Sequence, residues 1–254
     1  MCLMAFNWQA EHKRLILTAN RDEFYQRPTK ALHSWSEHPG LYAGKDLQQG
    51  GTWLGITQNQ RFAALTNIRA PGHEPENALS RGNLVLDFLT SELSGEAWLQ
   101  QLANTAMRYG LFNLICYDGE FLWYSHNHPT FHYQQLSSGL YGLSNAHLNT
   151  PWPKTELAKK QLAEWLQHSH DDMPADLLNR RLPFPDEQLP DTGVPLEWEQ
   201  RLSSQFILSP HYGTRCSTAL VINDQQWQIK ETVWQNNGEK ASETEFSQPS
   251  AARC

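Results

Sequence analysis

MCLMAFNWQAEHKRLILTANRDEF, residues 1–24, holds two short apolar runs, 2–8 and 14–20, around a polar turn at Glu11–Lys13. That pattern predicts a pair of antiparallel strands. The same reading repeats downstream. TWLGIT (52–57) and RFAALTN (61–67) flank Gln58-Asn59-Gln60 as a second hairpin. The Gly50-Gly51 pair ahead of them marks a turn or a close backbone approach. LFNLICY (111–117) and FLWYSH (121–126) flank Asp118-Gly119, a strong hairpin signal, and further strands are read at 130–136 and 140–144. The last strands are TRCSTALVI (214–222) and WQIKETVWQ (226–234), joined by Asn223–Gln225.

Between these runs the period changes. Ser80 is read as the cap of a helix through Thr90, with Leu84, Val85, Phe88 and Leu89 on one face. Ser94 caps a second helix with the stripe Trp98, Leu99, Leu102 and Ala106. Residues 154–168 form a third, and Pro174 is read as starting a short one through Arg181. Residues 183–195 carry four prolines and read as a loop. Strands linked as hairpins, with helices in separate blocks, predict an α+β fold of antiparallel sheets with helices on their outer faces. One domain over 1–246 is expected, with 247–254 a disordered tail.

The chain has 254 residues, 20 Lys and Arg against 27 Asp and Glu, and a net charge of −7. It has no basic run, so it lacks the footprint of a nucleic-acid binder. The apolar runs are far shorter than the ~20 residues a membrane span needs. The first residues lack a basic segment followed by an apolar one, so no secretory signal is expected. Four cysteines, Cys2, Cys116, Cys216 and Cys254, are widely spaced without a CxxC. Neither a disulfide framework nor a zinc site is expected, and a reducing, cytoplasmic home fits. The reading calls for no metal and no cofactor.

Five groups of residues stand out for chemistry. Cys2 becomes N-terminal if Met1 is removed, and its α-amine, titrating near ~8, is then a base on the same residue as the thiol. Otherwise it is the start of an edge strand. Asn20-Arg21-Asp22-Glu23 follows the second apolar run; period two puts Asn20 and Asp22 on one side, Arg21 and Glu23 on the other. The bland account is a solvated turn. The functional one sets Asp22 against the α-ammonium of Cys2 and Arg21 near its thiolate. Thr66-Asn67 and Ser144-Asn145 end strands and offer neutral donors for an oxyanion, or plain turn chemistry. Arg215 opens a buried strand as a rim residue or an anion-stabilising one. His126, His128 and His132 cluster in SHNHPTFH, where a solvated strand end is the favoured account over metal ligation.

Taken in order, MCLMAF, LILTANRDEFYQRPT, GGTWLGIT, RFAALTNIR, GLSNAHLNTPWPK and YGTR resemble the NRDE family, which includes the transport-and-Golgi-organisation protein 2 homologues. That family is grouped with the N-terminal nucleophile (Ntn) hydrolases. The resemblance implies a four-layer αββα sandwich with Cys2 as nucleophile. It further implies Asn67 (backbone N–H) and Asn145 (side chain) at the oxyanion hole, Asp22 beside the amine, and Arg215 as the late arginine. The choloylglycine-type motif is Arg-x-x-Asp. Setting its Asp on Asp22 puts Ala19 where the Arg belongs, so Arg21 takes the part only across a bulge. The expected activity is hydrolysis or acyl transfer at a non-peptide amide or a thioester, on a small-molecule substrate. The alternative is a non-catalytic carrier of haem, acyl-CoA or lipid on the same scaffold.

Overall fold

The computed structural model describes residues 2–168 and 173–249. The opening hairpin forms as read. Strands β1 (Cys2–Gln9) and β2 (Arg14–Phe24) pair antiparallel, Trp8 opposite Leu15 and Cys2 opposite Arg21. Lys13 closes the turn in the left-handed conformation, with φ of 46°. There follow β3 (Thr29–Ser34), β4 (Leu41–Asp46), β5 (Leu54–Thr57) and β6 (Phe62–Asn67). Helices α1 (Gly82–Thr90) and α2 (Gly95–Leu102) lead to β7 (Phe112–Tyr117), β8 (Leu122–His126), β9 (His132–Gln135) and β10 (Gly139–Leu143). Then come α3 (Pro153–His168), α4 (Leu196–Ser203), β11 (Tyr212–Ile222), β12 (Gln226–Trp234) and β13 (Lys240–Pro249).

Two antiparallel sheets result. One runs β10-β1-β2-β11-β12-β13 and the other β3-β4-β5-β6-β7-β8-β9. Met4, Phe6, Trp8, Leu15 and Leu17 of the first meet Ile56, Phe62, Ala64, Ile115 and Tyr117 of the second in the central core. The alternate residues of β1 and β2 face outward. Leu3, Ala5 and Ile16 pack under Ala158 and Leu162 of α3. On the far side, Leu84, Val85 and Phe88 of α1 and Trp98 and Leu99 of α2 cover Ala63, Leu65, Leu114 and Cys116. The expected four-layer αββα sandwich is therefore present. It also explains why β1 reads as a continuous apolar run: both of its faces are buried. Each such side chain contributes roughly 1.5–3 kcal/mol.

Several elements differ from the sequence reading. Ser80 does not cap α1. The N-cap is Arg81, which makes no side-chain cap bond, whereas Ser94 caps α2 as expected by accepting from the Ala97 N–H. No helix forms over 174–181, because tertiary donors occupy its carbonyls. Asn20 Nδ2 donates to Leu178 O, Gln205 and Phe206 N–H to Arg180 O, and Ser204 Oγ to Arg181 O. The helix of that region is α4, beyond the proline-rich loop. Strands β3 and β4 were not read from the sequence. Strand β13 runs through Pro249, so residues 247–249 are strand rather than tail, and 250–254, with Cys254, lie outside the described residues. Among the described residues, no helix is long and apolar enough to cross a membrane.

Two backbone features place the site. A Cβ on Gly51 would lie 2.5 Å from the Gly82 carbonyl carbon, so glycine here lets the start of α1 press against the segment carrying Thr52 and Trp53. In β11 the register shifts between Thr214, opposite Asp22, and Cys216, opposite Arg21, leaving Arg215 as the extra residue of a bulge.

Candidate functional site

Cys2 belongs to the row Met4, Phe6, Trp8 and so faces the space between the sheets. It is 8% exposed and opens onto a cleft of about 290 Å³ that also takes in Arg21, Glu23, Thr52, Trp53 and Asn67. Arg21 is its register partner, so guanidinium and thiol share a face without any bulge in β2. The Arg21 guanidinium stacks on Trp53, 4.1 Å from the ring centroid. Burial is the main influence on the Cys2 thiol and raises it above its ordinary value. The Arg21 cation and the Asp22 backbone N–H, turned toward the sulfur, work against that rise.

The Asn20-Arg21-Asp22-Glu23 stretch is not a solvated turn. It lies within β2, with Asn20 and Asp22 1% exposed and Arg21 7%. Asn20 is an anchor: its Nδ2 donates to Leu178 O (2.7 Å) and Gln205 O (2.9 Å), and its Oδ1 accepts from Ser217 Oγ (2.6 Å). Asp22 points to the opposite face from Arg21 and accepts from Thr214 Oγ1 (2.7 Å). Burial pushes the Asp22 carboxyl up, and the nearby Lys154 ammonium, the Thr214 bond and Arg21 hold it down.

The two Ser/Thr-Asn pairs meet. Thr66 Oγ1 donates to Ser144 O, Asn145 Nδ2 to Asn67 O (3.0 Å), and Ser144 Oγ to Cys2 O (3.3 Å). Asn67 lines the cleft, while Asn145 is fully buried behind it. These contacts tie the ends of β6, β10 and β1 together.

Arg215 is placed elsewhere. Its Nη1 donates to the carbonyls of Phe24 (2.9 Å), Tyr25 (3.2 Å) and Arg27 (3.2 Å), away from the cleft lining. The bulge turns it onto the chain leaving β2, and the structure does not bring it into the cleft lining with Cys2. The histidines form a side group of their own. His126 stacks on His147 at 4.4 Å and lies 5.7 Å from His132, while His128 contacts His73 at 5.2 Å. Among the described residues, no group of His, Cys, Asp and Glu is arranged to hold a metal ion.

Sequence reasoning missed Lys154 and the pair Arg69–Glu199. Lys154 is 2% exposed, donates to Leu202 O (2.8 Å), and is pushed down to about 8, chiefly by burial and next by Arg69. Arg69 forms a buried ion pair with Glu199, which also accepts from Thr192. One signal was available: a lysine in the first turn of a helix opposes the helix dipole, so its place there has a tertiary cause.

These features define a class: an αββα sandwich whose first strand begins with a cysteine at the mouth of an inter-sheet cleft. The chain belongs to the Transport and Golgi organisation 2 family, whose model matches residues 1–236. It is 34% identical over 247 residues to the transport and Golgi organization protein 2 homolog of Bos taurus, covering 88% of this chain and 89% of that protein. The Homo sapiens homolog is 34% identical over 249 residues, with the same coverage of 88% and 89%. A solved variant of the conjugated bile acid hydrolase from Clostridium perfringens is similar with a TM-score of 0.49 at 9% identity, over 97% of this chain and 96% of that one.

Proposed function

We propose that this chain is an N-terminal-cysteine hydrolase or acyltransferase acting on a non-peptide amide or a thioester. The observation that carries the reading is the position of Cys2, facing Arg21 at the cleft. In this reading loss of Met1 frees the α-amine of Cys2. Because burial keeps the thiol protonated, a base is needed, and the amine on the same residue supplies it. The amine takes the thiol proton, directly or through a water, as sulfur attacks the carbonyl carbon. It then returns the proton to the departing amine or thiol. Asp22, on the opposite face of β2, steadies the ammonium.

The oxyanion is held by the Asn67 backbone N–H and the Asn145 amide. One Nδ2 hydrogen of Asn145 donates to Asn67 O, and in this reading the second donates to the oxyanion once substrate fills the cleft. Each donor is worth roughly 3 kcal/mol. Water or an acceptor then releases the acyl group from sulfur. Arg21 takes the electrostatic part first expected of Arg215.

The test compares wild-type and Cys2→Ala protein across a panel of amides, lactones and thioesters. Turnover confined to the wild type is the expected result. Identical profiles would overturn the reading and leave the carrier alternative.

A further inference from the structure

The cleft beside Cys2 contains a guanidinium stacked on Trp53 but not tied down by a hydrogen bond. Arg21 is 7% exposed, and among the described residues no hydrogen bond leaves its side chain. The nearest carboxylate, Glu23, stands 4.0 Å away, beyond hydrogen-bond reach. The other charges nearby are committed. Arg27 Nε and Nη2 both donate to Asp46 Oδ2, at 2.9 and 2.6 Å. Arg81 bridges Glu74 (3.2 Å) and the Leu111 carbonyl (3.0 Å). Glu23 Oε1 accepts from the Phe24 N–H (2.9 Å), and the buried Glu231 accepts from the Leu32 N–H (2.7 Å).

The guanidinium lines the cleft with five donors and no acceptor, so an anion entering the cleft meets it directly. Stacking on Trp53 fixes its plane, which pre-organises the fork for a planar, two-oxygen partner. A doubly charged phosphate would face Glu23 and Glu231 close by; a singly charged carboxylate meets less repulsion. Since Arg21 is the register partner of Cys2, whatever it binds sits within a few bonds of the reacting carbon.

We propose that Arg21, stacked on Trp53, docks a substrate carboxylate next to the scissile carbonyl. The substrates are then small amides or thioesters that carry a carboxylate a few bonds from the carbon attacked. This rests on Cys2 being the nucleophile proposed above.

The test needs no known substrate. Full-length protein is treated with iodoacetate or with iodoacetamide. In both, the Cys2 sulfur forms a bond to the methylene carbon as iodide leaves, and the modified Cys2 peptide is quantified by mass spectrometry. The ratio of the two rates is divided by the same ratio for free cysteine in the same buffer. The expected normalised ratio favours iodoacetate by about tenfold, the worth of one charge-assisted hydrogen bond. Arg21→Gln brings it to about one, and Glu23→Gln, which removes a competing acid, raises it further. A wild-type ratio of one overturns the carboxylate site while leaving Cys2 as nucleophile. A Cys2 inert to both reagents overturns the nucleophile and the site together. If Arg21→Gln does not fold, the wild-type ratio and the Glu23→Gln shift still decide.

Discussion

Cys2 and Arg21 stand opposite each other across β1 and β2, thiol and guanidinium on the same face of the sheet. Asp22, one residue on, lies on the other face with Thr214 and Lys154. One strand thus sorts a cation to the sulfur side and an anion to the opposite face. Period two in the sequence already implied this division, and several consequences can be measured.

Arg215 holds the chain that leaves β2. Arg215→Ala strips bonds from three carbonyls of the segment that leaves β2. It should cost about 1–3 kcal/mol in urea unfolding. Turnover per folded molecule should change less than in Arg21→Ala, which leaves those bonds intact.

Asn145→Ala should act twice. It removes the bond to Asn67 O from a fully buried site, costing about 1–3 kcal/mol of stability. If Asn145 is the oxyanion donor proposed above, kcat on a reactive thioester should also fall by about 10²–10³. A lowered unfolding midpoint with unchanged kcat would reduce Asn145 to a brace.

How much was legible follows the physics of each element. The hairpins were readable because their runs and turn residues are local. Gly51 was readable as a close approach, since only glycine permits contact with Gly82. The stretch 174–181 was misread because its carbonyls are taken by Asn20, Gln205 and Phe206, partners remote in sequence. The Arg215 bulge left no local trace, and a regular strand would have aimed that side chain differently. Lys154 leaves no local signal of its burial beyond its place in the first turn, because that burial is set by α3 docking on the sheet and by the Leu202 carbonyl, remote in sequence.

Lys154 gives a pH signature. Its ammonium is depressed from 10.5 to about 8 by burial, so between those values the unfolded chain binds more protons than the folded one. Stability therefore rises with pH across that window and is lost as pH falls back through it. Between pH 8 and about 9.5 the wild type should gain about 2 kcal/mol that Lys154→Met does not, in urea midpoints measured on both.

His126 works at the acid end. Burial, with His147 and His132 adding to it, pushes the imidazole down from 6.5 to about 4. The stability this gives is present above pH 6.5 and is lost as pH falls toward 4. His126→Phe keeps a ring against His147 and should flatten the fall in melting temperature across that interval.

The central claim is that Cys2 is an N-terminal nucleophile, and the intact mass of protein incubated with a short acyl thioester tests it most directly. The account predicts a chain lacking Met1 that carries one acyl group on Cys2, with no adduct on Cys2→Ala. A chain that retains Met1, or an adduct that persists in Cys2→Ala, would contradict it.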